Sequence, residues 1–172
     1  MTARLTCALV GPYSRLMTPA ISALEAAGVE FRVFEYERGE SLRDFGREAA
    51  EALGLDHDQV FKTLIVTADG AEAVAIVPVS CTVGLKAGGA ALGAKRVEMC
   101  DPDRAQRVTG MVLGGISPFG QKKRLPTVLD ETSELFDTIY VSGGKRGVDV
   151  EVGTADLIAL TAAVVAPIAV SD

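Results

Sequence analysis

The stretch LIVTADGAEAVAIVPV, Leu64 to Val79, carries two apolar runs, Leu64–Thr67 and Ala73–Val79, on either side of Asp69-Gly70. Both turn residues tolerate positive φ, and a two-residue turn of that kind has the twist that joins antiparallel strands. A hairpin is therefore expected here. Upstream, Val29, Phe31 and Val33 alternate with Glu30 and Arg32, the period of two of a half-buried strand that ends near Phe34 and Tyr36. Before it, Thr18 and Pro19 start a helix with Ile21, Leu24 and Ala27 on one face, and Gly28 stops it. Asp44 to Leu53 reads as a second helix closed by Gly54, and Asp56 with Gln59 as a capping box for a short helical turn containing His57. Downstream, a glycine-bearing helix at Leu85–Leu92, a strand at Arg96–Met99 and a helix from Asp101-Pro102 are expected. Four further strands are predicted at Met111–Leu113, Thr127–Asp130, Thr138–Val141 and Val148–Val152, then a helix capped by Thr154. Closely spaced strands with helices at irregular intervals predict an α+β fold with a mixed, largely antiparallel sheet, and disfavour a Rossmann arrangement.

The chain of 172 residues suits a single domain, expected over residues 17–170 with residues 1–16 as an N-terminal extension. With 48% hydrophobic residues it can bury a core. Its longest apolar stretch, Leu157–Val170, is broken by Thr161 and Pro167 and is too short to cross a bilayer, so no membrane partner is expected. One histidine, His57, and three cysteines, Cys7, Cys81 and Cys100, without a CxxC pair point away from a zinc site, a secreted disulfide scaffold and a Cys-His or Ser-His-Asp enzyme. No metal or cofactor is expected, and the cytoplasm is the expected location. The net charge of −6 is unevenly placed: residues 61–124 hold nine basic and five acidic side chains, between segments of four and ten (20–60) and two and eight (125–172). A local positive surface for phosphates and a charge pattern dispersed by folding are both open.

Four segments join polar side chains to permissive backbone. Lys62, in Phe61-Lys62-Thr63-Leu64, is a cation in an apolar strand, either an edge residue or an anion anchor in a cleft. Gly114-Gly115-Ile116-Ser117-Pro118-Phe119-Gly120 is a turn or a loop whose N–H groups cradle an oxyanion; it matches neither a Walker A nor a GxGxxG pattern. The basic run Lys122, Lys123 and Arg124 follows, either a solvated face or a phosphate contact. Gly143-Gly144-Lys145-Arg146-Gly147 reads as a hairpin tip with two cations, and Asp149 in the next strand points away from Val148 and Val150, toward solvent or a cleft.

Together these segments resemble the YbaK/EbsC family, the free-standing relatives of the editing domain inserted in bacterial prolyl-tRNA synthetase. The resemblance rests on Asp58-Gln59-Val60-Phe61-Lys62-Thr63-Leu64, Ala91-Leu92-Gly93-Ala94-Lys95, Val97-Glu98-Met99, Thr109-Gly110, Gly114–Pro126 and Tyr140–Gly147. It implies the editing-domain fold, with a sheet that is partly barrel-like and helices around it, and is nearest to the Cys-tRNA(Pro) deacylase branch. The resemblance further implies a pocket in which Lys62 and Thr63 bind the aminoacylated 3′ end. Gly114 and Gly115, with Ile116, Ser117 and Pro118, would line the reacting ester, and Tyr36 and Asp149 would be pocket positions. The substrate would be a charged proline tRNA, met through Lys122, Lys123, Arg124, Lys145 and Arg146, with prolyl-tRNA synthetase as a candidate partner. In that branch the cysteine thiol attacks its own ester, so no protein nucleophile is needed. Two alternatives accompany it: removal of another small amino acid such as alanine, and a non-catalytic module that holds a tRNA end or a synthetase. Lys86-Ala87-Gly88-Gly89-Ala90 is poorer in lysine than the matching segment of relatives, which predicts weaker tRNA contact by that helix.

Overall fold

A computed structural model describes residues 16–39 and 44–172. Helix α1 (Pro19–Ala27) begins where Thr18 Oγ1 accepts the Ile21 N–H at 3.1 Å, and it buries Ala20, Ile21 and Leu24. Strand β1 (Phe31–Glu35) leads to Tyr36, and α2 (Phe45–Leu53) is capped by the Asp44 side chain and ended by Gly54. The hairpin is β2 (Phe61–Ala68) and β3 (Ala71–Pro78), in register from Phe61↔Pro78 to Ala68↔Ala71. At its tip Asp69 and Gly70 take φ of 48° and 85°, the paired positive values that a tight hairpin turn requires. Asp69 is also tied down: its carboxylate accepts the Lys95 and Arg96 backbone N–H groups, which holds its pKa below the ordinary range.

The remaining elements are β4 (Cys81–Val83), α3 (Leu85–Leu92), β5 (Val97–Met99), α4 (Pro102–Thr109), β6 (Thr127–Asp130), β7 (Thr138–Lys145), β8 (Val148–Gly153), α5 (Thr154–Thr161), β9 (Val164–Ala166) and β10 (Ala169–Ser171). A mixed five-stranded sheet runs β5-β2-β3-β6-β9, antiparallel at β2/β5 and β2/β3, parallel at β3/β6 and β6/β9. An antiparallel three-stranded sheet runs β1-β8-β7, and β10 pairs with β4. The α+β class stands, but the sheets do not close into the barrel-like form expected from the resemblance. They meet through a bridge between Val60 and Tyr140 instead.

The largest core lies between α1, β2, β3 and one face of the three-stranded sheet, with Ile21, Leu24, Phe61, Ile76, Leu129, Ile139, Val141, Val150 and Leu157 nearly or fully sealed. Each such side chain contributes roughly 1.5–3 kcal/mol of burial. The other face of that sheet carries Phe34, Tyr140, Asp149 and Glu151, because Phe34 pairs with Asp149 and Tyr140 with Glu151 across the strands. Helix α2 covers it through Ala50 and Leu53, so β8 is buried on both faces rather than half-buried.

Three local expectations fail. Met111–Leu113 forms a turn, with the Gly115 N–H donating to the Val112 carbonyl at 2.9 Å, because this apolar triplet fills the core through Met111 without a strand partner. Residues 56–59 form a turn and no helix: Gln59 Nε2 donates to the Thr138 carbonyl at 2.8 Å instead of closing a capping box. Thr154 is the first residue of α5, not its cap, and its hydroxyl donates to the Phe136 carbonyl at 2.7 Å. Of the expected extension, only Leu16 falls within the described residues, where no helix is long and apolar enough to cross a membrane.

Candidate active site

Helix α2 enters against the ends of β2 and β3 because Gly46 has no side chain: a Cβ there would stand 2.5 Å from Val79 Cγ1 and 3.7 Å from Lys62 Cβ. The approach leaves a cleft of about 300 Å³, at the small end of the usual range of ligand pockets. Its wall from β2 and the residue before it is Val60, Phe61, Lys62, Thr63 and Leu64; its wall from α2 and its cap is Asp44, Phe45, Gly46 and Ala49; Tyr36, Ser142, Asp149, Gly114 and Ile116 complete it. The residues Tyr36, Lys62, Thr63, Gly114, Ile116 and Asp149, dispersed over 114 positions of chain, thus share one cavity.

Two features of the cleft are costly to the free protein. Asp149 is 5% exposed, and desolvation raises its carboxyl to about 7. The Thr63 Oγ1 is buried without a hydrogen-bond partner. An unsatisfied buried hydroxyl costs about 1–3 kcal/mol, a cost that a ligand supplying the missing partner removes. Tyr36 is pushed well above the ordinary phenol range, first by burial and then by the Asp149 charge, so its hydroxyl stays a neutral donor through the physiological range.

The glycine loop divides its amides. Those of Gly115 and Ser117 are committed, to the Val112 carbonyl at 2.9 Å and the Met111 sulfur at 3.3 Å, and that of Phe119 goes to Ser117 Oγ at 3.3 Å. Gly114 and Ile116, which line the cleft, have no intramolecular acceptor for their N–H groups among the described residues. Gly115 is instead packed against the β7–β8 tip, where a Cβ would meet the Arg146 nitrogen at 2.8 Å. Ser117 is fully buried, and Pro118 faces a separate groove with Gln121 and Arg124.

The family model of the aminoacyl-tRNA editing domain matches residues 40–160, well over half of the chain. The chain belongs to the aminoacyl-tRNA editing domain family. A protein of Enterococcus faecalis named "Putative Cys-tRNA(Pro)/Cys-tRNA(Cys) deacylase EbsC" is 33% identical over 145 residues, 84% of this chain and 88% of that protein. A proline–tRNA ligase of Acidithiobacillus ferrooxidans is 34% identical over 83 residues, 48% of this chain but 15% of the ligase. The solved structure of "a putative trans-editing enzyme for prolyl tRNA synthetase" superposes with a TM-score of 0.78 at 25% identity, covering 91% of this chain and 99% of that one. Deacylation of aminoacyl-tRNA is thereby the activity class of this editing domain.

The five cations expected to meet tRNA fall into two groups. Lys122, Lys123 and Arg124 are exposed, and none lines the cleft. Lys145 is exposed and Arg146 half-buried at the β7–β8 tip, directly beside the glycine loop. Sequence reasoning missed the whole wall from α2 and its cap, Asp44, Phe45, Gly46 and Ala49, as well as Ser142 and the apolar lining residues Val60, Phe61 and Leu64. A glycine in the first turn of an amphipathic helix was the available signal for Gly46, since helix interiors otherwise disfavour it by about 1 kcal/mol.

Proposed function

We propose that this editing domain acts in trans on mischarged Cys-tRNA(Pro), and that the cysteine thiol is its nucleophile. The observation that carries the reading is the composition of the cleft: donors and one buried carboxyl converge on a small cavity, and neither His57, Cys81 nor Cys100 lines it. In the free protein the lone Lys62, the unpartnered Thr63 hydroxyl and the uncommitted Gly114 and Ile116 amides await acceptors. A charged tRNA end supplies them in its ribose oxygens, its phosphate and its ester carbonyl. Asp149 and Tyr36 accept and orient the aminoacyl group.

The chemistry then runs within the substrate. The cysteine sulfur, as thiolate, bonds to its own carbonyl carbon while the Gly114 and Ile116 N–H groups stabilise the oxyanion. The ester C–O bond breaks, and the proton lost by the thiol ends on the released ribose hydroxyl. The resulting cyclic thioester is opened by water to free cysteine. Intramolecular positioning supplies up to roughly 7–11 kcal/mol in ideal systems, and an oxyanion donor about 3–4. Prolyl-tRNA synthetase is the partner this reading favours, because the basic surface is too small to select a tRNA alone.

A competing reading, attack by a water on any small aminoacyl ester, draws on the near-neutral Asp149 as a general base. Proline tRNA charged with cysteine and with serine separates the two, since the groups are similar in size but differ in nucleophilicity. Much faster release of cysteine, with a cyclic thioester captured by mass spectrometry under acidic quench, is the expected result. Equal rates would refute thiol attack, and no release above buffer from any charged tRNA would refute deacylation.

A further inference from the structure

Phe45, the first residue of α2, stands with its ring against the glycine loop so closely that a Cβ on Gly114 would lie 2.5 Å from its Cγ. Two guanidinium groups lie over this ring: Arg38, from the exit of β1, at 4.7 Å from the centroid and Arg146, from the β7–β8 tip, at 5.0 Å. Two like charges gathered at one ring repel each other, so each is held by something else. Arg38 lies 3.6 Å from Glu48, one turn along α2 from Phe45, and the Arg146 Nε–H donates to the Leu113 carbonyl at 2.6 Å. Arg146 therefore grips the residue preceding Gly114 with one edge and covers Phe45 with its face. The tip around it is also braced, for the Tyr36 N–H donates to the Gly147 carbonyl at 3.0 Å and Gly115 packs on the Lys145–Arg146 backbone.

We infer that Phe45 and Arg146 are positioning residues of the deacylation reaction: they hold the backbone of residues 113–116 in place from two sides, and Arg146 acts as a brace on this loop rather than as a phosphate ligand. The inference rests on the proposed role of the Gly114 and Ile116 amides at the reacting ester. The mechanical part is independent of it. A loop with Gly114 at φ +79° followed by a second glycine has little stiffness of its own. Its rigidity has to come from contacts, and these are Met111 in the core below, Phe45 on one side and the Arg146 tip on the other. Lysine cannot replace arginine in such a place, because an ammonium has neither the flat face nor the fixed fork of donors. It does keep the point charge that a phosphate requires.

Arg146→Lys consequently separates the two roles. On cysteinyl-tRNA the brace predicts a fall in kcat of roughly 10- to 100-fold, the scale of a reacting group misplaced by about an ångström. KM and the log–log salt slope of tRNA binding should stay as in the parent protein. Phe45→Leu should behave likewise, and Phe45→Tyr, which keeps the ring, should restore activity. Amide hydrogen exchange gives a readout free of catalysis: the Gly115 N–H, bonded to Val112, should exchange at least several-fold faster in Arg146→Lys and Phe45→Leu. The Cys100 N–H, bonded to Ile65 in the hairpin sheet, should not change. An unaltered kcat in Arg146→Lys, a loss confined to KM, or unaltered Gly115 exchange in both variants would each overturn the brace. If the parent protein releases no amino acid from any charged tRNA, the functional reading fails and the exchange rates alone decide the brace.

Discussion

Replacing Asp149 by asparagine should stabilise the protein at neutral and alkaline pH and remove most of a pH dependence that the buried carboxyl imposes. Desolvation raises the group from an ordinary 3.8 to about 7 in the folded chain. An acid whose folded pKa is raised binds more protons folded than unfolded between the two values, so stability is full below pH 3.8 and is lost as pH rises through about 7. At about 1.36 kcal/mol per pH unit over some three units, the loss amounts to roughly 4 kcal/mol, of which roughly 2 to 3 falls between pH 5 and 7. Asparagine keeps the shape and cannot ionise. The amide brings its own burial cost, but that cost does not vary with pH, so the difference between the two proteins isolates the carboxyl. Urea midpoints measured at pH 5, 6, 7 and 8 should show the variant gaining on the parent with each step, by about 1 M or more across the range at ordinary urea slopes. Exposed carboxylates such as Asp69 act on both proteins alike and cancel. A gap between the proteins that stays constant from pH 5 to 8 would refute the reasoning, since it would mean that Asp149 is already ionised in the folded protein at pH 5.

Lys62→Ala should fold, as circular dichroism can verify, because the side chain lines the cleft and not the core, yet deacylation should fall to background; undiminished turnover would refute its anchoring role. Lys122→Ala, Lys123→Ala, Arg124→Ala and Lys145→Ala, all at exposed positions, should each shallow the log–log salt dependence of tRNA binding by roughly 0.7–0.9 wherever the residue meets a phosphate. Four unchanged slopes would remove this surface from the tRNA path.

The hairpin around Asp69-Gly70, the cap at Thr18, the helix stops at Gly28 and Gly54 and the alternation of β8 were legible in the sequence, because each depends on the φ preferences and side chains of a few adjacent residues. So were the editing-family motifs, whose residues Lys62, Thr63 and Gly114 line the cleft. What these residues do to one another was not legible. Periodicity placed Asp149 away from Val148 and Val150 without distinguishing solvent from cleft; it is α2, packed over Phe34 and Tyr140, that buries the carboxyl and lifts its pKa. The loop 114–118 reads as a row of equivalent donors, whereas folding commits the Gly115 and Ser117 amides and leaves those of Gly114 and Ile116, residues that line the cleft, without an intramolecular acceptor among the described residues. Met111–Leu113 looked like a strand because its residues are apolar, but a strand also needs a partner edge, and the neighbouring segments supply none. Arg146 looked like one more surface cation until Phe45 and the Leu113 carbonyl, 101 and 33 positions away, were brought against it. Local conformation follows from local chemistry, and so most helices, the longer strands and the family of this protein could be read from the chain alone. Desolvation, hydrogen-bond commitment and ring stacking depend on distances between residues far apart in the chain, and those distances exist only once it has folded.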